Sequence, residues 1–260
     1  MPLAIAAQST PVDPETIRAL EERAFNAWPA RQSVLQGGWV FRLSGGFTKR
    51  ANSVNAIEAG ASFSGVRAAA EALYARHGLP PVFRISPLAP TTADQELADA
   101  GYTHFDPSLV MATAGLDAAQ AHACVQIETT PTAAWLDGFA AANGVAAQNH
   151  AVHHAMVHAI ALPCAFATLH DGAGRTIGFG LAVLERGAIG LYDIVVDPAL
   201  RGQGHGRGLV CALLQWGRDV GAGSAYLQVR AVNGVAQRLY AGLGFGEVYQ
   251  YHYRIPPVKG

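Results

Sequence analysis

The chain has 260 residues, half of them hydrophobic, with a formal net charge of −1. That suits one large or two small packed domains, and the near-neutral balance excludes the basic footprint of a nucleic-acid partner. No apolar span is long enough for a membrane and no charged-then-apolar leader stands at Met1, so the expected setting is a reducing cytoplasm without a membrane partner. Cys124, Cys164 and Cys211 are too few and too irregularly spaced for a disulfide framework or zinc site, and read as buried structural thiols.

In chain order, Asp13 to Trp28 reads as a helix capped by Asp13 with Pro14 in its first turn. Gly38 to Leu43 and Ala51 to Ile57 read as strands, joined by a polar turn. A helix over Gly65 to His77, a strand over Val82 to Ser86, a helix over Thr92 to Ala100 and a strand over Tyr102 to Thr113 complete the first half.

The second half opens with a strand at Val125 to Thr129 and helices over Thr132 to Ala142 and Gln148 to Leu162. On the latter helix His150, His154 and His158 recur every fourth residue beside His153. No Glu follows the first in the His-Glu-x-x-His manner and no Cys or carboxylate completes a ligand set, so no metal is expected. Cys164 to Leu169 and Thr176 to Leu184 read as a hairpin around Asp171-Gly172-Ala173-Gly174.

A β-branched strand, Leu191-Tyr192-Asp193-Ile194-Val195-Val196, then ends at Asp197-Pro198. Arg201-Gly202-Gln203-Gly204-His205-Gly206-Arg207 follows, and Leu209 to Gly221 has helical spacing. A glycine-rich turn opening a helix presents unpaired N–H groups at the positive end of the helix dipole, and Arg201 and Arg207 add full charge. This is a pyrophosphate cradle. It lacks the Gly-Lys-Ser/Thr of a Walker A loop, and Arg207 stands where a dinucleotide fingerprint needs its third glycine. A strand at Ser224 to Arg230, a helix over Asn233 to Gly244 and a last strand with Tyr249, Tyr251 and Tyr253 on one face close the chain.

The order Arg-x-x-Gly-x-Gly after a strand ending in Val-Asp-Pro resembles the acetyl-CoA loop of the GNAT acyltransferase superfamily. Asn233 opening a helix, followed by Tyr240-Ala241-Gly242-Leu243-Gly244-Phe245, resembles the second signature of that superfamily. The first half repeats the rhythm of helix, strand, helix, Ala-Gly-Tyr and strand, and so resembles bacterial two-lobe GNAT proteins. The expected fold is therefore α/β, with two GNAT-like lobes that are each a mixed, largely antiparallel sheet flanked by helices. A degenerate lobe is expected over residues 1–122 and the acetyl-CoA-binding lobe over 123–260. In the first lobe Glu58 to Gly65 occupies the place of the cofactor loop without an Arg or Gln at the right offset, so no CoA is expected there.

The resemblance implies an acetyl-CoA-dependent transfer of an acetyl group to a primary amine of a small molecule or peptide. Residues 201–207 would hold the pyrophosphate, the backbone of Ile194, Val195 and Val196 would pair with the pantetheine arm and polarise the thioester, and Asn233 would contact the pantetheine. Tyr240 is the candidate general acid for the departing thiolate and Asp193 the candidate base, with Glu185, the tyrosines of the last strand or a water chain as alternatives. His205 is expected to face solvent. Arg50, Asn52 and Asn55 either fix their own turn or line the acceptor pocket between the lobes. The rival readings are a non-catalytic acyl-CoA-binding or interaction module, or a transferase using another acyl-CoA.

Overall fold

The computed structural model describes residues 12–116 and 124–257, so the expected lobe boundary near 122 falls outside the described residues. The first half folds as α1 (Pro14–Ala27), β1 (Gln32–Gln36), β2 (Trp39–Leu43), β3 (Val54–Ala56), α2 (Val66–Arg76), β4 (Phe83–Ile85), α3 (Thr91–Asp99) and β5 (Thr103–Thr113). The second half contains β6 (Val125–Glu128), α4 (Ala133–Ala142), α5 (His150–His158), β7 (Cys164–His170), β8 (Thr176–Glu185), β9 (Ala188–Val196), α6 (His205–Asp219), β10 (Ser224–Arg230), α7 (Gly234–Ala241) and β11 (Gly246–Ile255). No helix of the described residues is long and apolar enough to cross a membrane.

Local chemistry accounts for most boundaries. Asp13 accepts from the Glu15 amide at 2.8 Å and starts α1, while Thr132 accepts from the Trp135 amide at 3.1 Å and starts α4. The His-rich helix stops at His158, four residues before Leu162, which precedes Pro163 and is pushed out of helical geometry. The expected strand at Ala51 begins only at Val54, because Lys49–Ala51 form a turn of 3₁₀-helix. Strand β1 was not expected: it is exposed along its length and so carries no apolar alternation. It pairs with β2 across Gly37-Gly38, both at positive φ as a two-residue hairpin turn requires. Of the three cysteines Cys164 and Cys211 are buried, whereas Cys124 is exposed, contrary to expectation.

The α/β class holds, with a mixed sheet flanked by helices, and the strands of both halves run on as one sheet. Its order is β1-β2-β3-β4-β11-β5-β10-β9-β8-β7-β6. The parallel pair β3·β4 matches the parallel pair β9·β10, and at the centre β11 and β5 lie antiparallel, each seated beside strands of the other half. Alternation along β5 explains the exchange. Leu109 and Met111 enter the core beneath α6 and α7, while Val110 enters the core of the first half. Tyr249, Tyr251 and Tyr253 of β11 all face that second core, the shared face read from their spacing.

Helix α1 straddles the halves. Ile17 packs in the first-half core, whereas Ala24 and Ala27 join a third cluster with Trp135, Phe139, Tyr192 and Tyr226. Between them Glu21 is buried and bonded to Arg84 of β4 (2.9 Å for the Nη2–Oε1 contact) and to the Tyr249 hydroxyl of β11. Such a desolvated ion pair is stabilising only with its partners in place, so it specifies how three elements meet.

Candidate active site

Two features of the second half open toward each other. The first is the loop from β9 to α6. Asp197 accepts from the Ala199 amide at 2.9 Å and sets a short 3₁₀ turn, after which Gly202 and Gly204 take positive φ of 78° and 85°. Gly204 is the N-cap of α6 and supplies no side-chain cap, so the first-turn amides face outward. A Cβ at either glycine would meet no atom within 4 Å, so the loop borders open space. Gly206 instead packs against α7, where a Cβ would stand 3.3 Å from Leu239. Arg201 is exposed with Nε 3.3 Å from the Val196 carbonyl, Gln203 is exposed, and Arg207 reaches the Gly242 carbonyl at 3.1 Å. His205, expected in solvent, is half-buried as the first residue of α6.

The second feature is a split in the sheet. β9 and β10 pair in parallel from Ala188↔Ser224 to Leu191↔Leu227, and there the ladder stops. β9 continues to Val196 against β8, and β10 continues to Arg230 against β5. The edges of 192–196 and 228–230 therefore diverge, leaving main-chain donors and acceptors free of each other. An extended ligand carrying amides can pair with such an edge as an added strand.

A β-bulge shapes the β9 edge. The register passes from Leu181↔Tyr192 to Phe179↔Val195, and Asp193 takes φ 52°. Asp tolerates this left-handed geometry better than most residues. The bulge turns Tyr192 and Asp193 to the same face, while Ile194 packs toward α6 over Gly180, where a Cβ would lie 2.9 Å from its Cδ1. The Asp193 side chain is 7% exposed, and its Oδ2 lies 3.6 Å from Nε2 of the fully buried His153. Trp28, Phe47 and Phe139 surround that imidazole with ring centroids 5.1–6.2 Å away. Neither nitrogen of His153, nor Asp193 Oδ2, has a hydrogen-bond partner among the described residues. Beside them His154 lies 3.6 Å from Asp137, whose side chain is 69% exposed. Unpartnered buried polar groups are unfavourable for stability and call for another reason.

On the opposite face, Tyr240 of α7 is 8% exposed and sits 5.9 Å from the Phe245 ring. Burial pushes its phenol up to about 12, which keeps it protonated at neutral pH. Asn233 caps α7, accepting from the Ala236 amide at 3.1 Å, and is exposed. The expected cofactor residues 194–196 and 201–207 thus share one strand, loop and helix start, with Asp193 and Tyr240 on opposite faces of the sheet.

Other candidates lie elsewhere. Glu185 pairs with Ala188 at the closed end of the β8–β9 hairpin, far along the strand from the split, and binds Asn26 at 3.0 Å. Tyr249 is committed to Glu21, whereas Tyr251 donates to Gln228 at 3.0 Å and, with Tyr253, lines a cavity where the halves meet. Asn52 is a turn residue: its Oδ1 accepts from the Ser44 and Gly46 amides at 2.6 and 2.9 Å, and its Nδ2 donates to the Thr48 carbonyl at 2.8 Å. Asn55 is buried and bonded to Ser53. Arg50, by contrast, stacks over Trp28 and Tyr192 at the junction of the halves. By sequence His153 stands only beside the stripe of His150, His154 and His158, whose face was expected to be partly exposed, whereas its spacing with Met156 and Val157 marks the buried face of α5. Among the described residues no group of three or more His, Cys, Asp or Glu is placed to hold a metal ion.

Comparison with known proteins agrees with this geometry. The model of a family described as "Probable histone acetyltransferase Rv0428c C-terminal" matches residues 15–254. The uncharacterized N-acetyltransferase YobR of Bacillus subtilis is 31% identical over 247 residues, covering 93% of this chain and 99% of its own. Among solved structures, a GCN5-related N-acetyltransferase from Kribbella flavida superposes with a TM-score of 0.70 at 17% identity, over 93% of this chain and 96% of that one. A tandem GNAT protein from the clavulanic acid biosynthesis pathway gives 0.61 at 12% identity, over 93% and 88%. With a family match across almost every described element and a relative aligned nearly end to end, the chain belongs to the GNAT N-acetyltransferases, within the family of the Rv0428c C-terminal region.

Proposed function

We propose that this acyltransferase moves the acetyl group of acetyl-CoA directly to a primary amine of a small molecule or peptide. The observation that carries the reading is the split between β9 and β10 opening beside the uncapped N-terminus of α6. Each part of the donor meets matching chemistry. Backbone amides of the loop, with Arg201 and Arg207, suit a pyrophosphate, and Gly202 and Gly204 leave room for it. The free edge of Ile194 to Val196 suits the amides of pantetheine, and a strand N–H there would stabilise the thioester oxygen as it gains charge. Asn233, already capping α7, would reach the same arm.

The amine nitrogen attacks the thioester carbon, its proton passes toward Asp193, and the C–S bond breaks. Tyr240 gives its proton to the thiolate and recovers one from solvent. The Asp193 carboxylate lies against His153, and His154 and the exposed Asp137 form a second such pair beside it. A purely acyl-CoA-binding module has no use for an unpartnered buried carboxylate and imidazole. In the first lobe, which we place over residues 1–122, the corresponding helix start at Gly65 (φ 75°) likewise has no side-chain cap, yet its loop carries Glu58 and no arginine. Donor binding is therefore assigned to the second lobe, 123–260.

Calorimetric titration with acetyl-CoA, comparing the native protein with an Arg201→Ala/Gly204→Glu double variant, tests the reading. Saturable binding that the double variant loses is expected, since each charged hydrogen bond contributes about 1.5–3 kcal/mol and the new carboxylate opposes the phosphates. A folded native protein that binds no acetyl-CoA would sink it.

A further inference from the structure

A cavity of about 240 Å³ lies where the halves meet, lined by Lys49, Arg50, Asp106, Gln228, Arg230 and Tyr251. It borders the proposed active site. Gln228 and Arg230 come from the diverging end of β10, and Arg50 rests on Tyr192, the residue before Asp193. Three cations meet one carboxylate here. Asp106, carried at φ 47° on a bulged part of β5, bridges Lys49 at 2.9 Å and Arg230 at 2.8 Å. Arg50 has no such partner: its guanidinium makes no ion pair or hydrogen bond among the described residues. It is held instead by rings, 5.2 Å from the Trp28 centroid and 5.6 Å from that of Tyr192.

The segment that carries Arg50 is unusually constrained. Buried Arg42 donates to the Arg50 carbonyl at 2.6 Å and also binds the Phe25 and Trp28 carbonyls. Asn52 ties the same turn to Ser44, Gly46 and Thr48. A flat fork of donors with fixed main chain, resting against a stacked pair of rings and left unpaired beside a cavity, is suited to receive an anion. A lysine-rich peptide would meet like charge at this mouth. The volume lies below the roughly 300 Å³ at which drug-sized sites begin, so the occupant is small.

Resting on the transferase reading above, we infer that the acceptor is a small primary amine bearing a second, anionic group, a carboxylate or a phosphate, that seats on Arg50 while the amine points to Asp193.

The test is a thiol-release assay at saturating acetyl-CoA with straight-chain amines of about two to six carbons. Each is supplied as the bare amine, the ω-carboxylate and the ω-phosphate. At one or more chain lengths an anionic form is expected to show at least about tenfold higher kcat/KM than the bare amine. Which anion leads identifies carboxylate or phosphate as the natural group. Arg50→Gln should bring that ratio close to one, through KM rather than kcat, and Arg50→Lys should restore part of it. The lysine variant also covers the case in which glutamine disturbs the fold, which a thermal melt reports. Equal use of bare and anionic amines, a preference that survives Arg50→Gln, or no transfer to any anionic amine by protein that binds acetyl-CoA would each overturn the inference. Absence of acetyl-CoA binding would instead remove the transferase reading beneath it.

Discussion

Replacing Asp193 by Asn separates the charge of this residue from its place in the fold. The backbone at φ 52° accepts Asn as readily as Asp, so the bulge on β9 should survive. The amide has nearly the same shape and sits in the same 7%-exposed site beside His153. Because Oδ2 has no hydrogen-bond partner among the described residues, no hydrogen bond to that oxygen is lost in the exchange. Stability is therefore expected to hold to within about 1 kcal/mol, or about 2–4 °C in Tm for a protein of this size. Activity should fall. Loss of a general base lowers kcat/KM by about 100- to 10,000-fold, or about 2.7–5.4 kcal/mol of transition-state stabilisation. The assay is steady-state thiol release with an accepted amine, accompanied by a thermal melt and an acetyl-CoA titration. Asp193→Ala is the contrast: without a short polar side chain, the left-handed backbone is about 1–2 kcal/mol less favourable. Turnover by Asp193→Asn within threefold of native, or a loss of turnover matched by lost acetyl-CoA affinity, would refute the assignment of Asp193 as base.

Further expectations concern residues around the site. Tyr240→Phe should lower turnover by about 100-fold or more while acetyl-CoA affinity changes little. Its melt should shift only slightly, since burial alone, and no hydrogen bond, perturbs the phenol. Asn52→Ala removes three hydrogen bonds and strands the buried Ser44 amide, so urea unfolding should show a loss of about 2–4 kcal/mol. Asp94 of α3 binds Arg254 at 2.7 and 2.9 Å and His252 at 2.8 Å, and these partners, Arg254 foremost, pull its carboxyl down to about 2. A depressed folded-state value contributes stability above the unfolded carboxylate range near 3.9, which is lost as pH falls toward 2. Acid-unfolding curves of native protein and Asp94→Asn should accordingly converge over that window.

Much of this molecule is written locally. The strand ending at Asp197-Pro198, the glycines at 202 and 204, the cap at Asn233 and the Leu-Gly-Phe after Tyr240 each depend on a few neighbouring residues. Backbone freedom, capping and periodicity act over that same range, so sequence alone determined most elements and the glycine-rich turn that opens α6. It also contained signals that went unused, such as the Gly37-Gly38 hairpin and the buried spacing of His153 with Met156 and Val157. Tertiary structure alone decided the rest. That β5 and β11 lie side by side between β4 and β10 depends on which core accepts Leu109, Val110 and Met111, a choice made by burial across more than a hundred residues. The bulge that turns Asp193 toward His153 depends on a register shift against β8. The seat of Arg50 needs Trp28 from the end of α1 and Tyr192 from β9 to stack on each other beneath it. Such meetings follow from packing between distant segments, and no spacing within one segment encodes them.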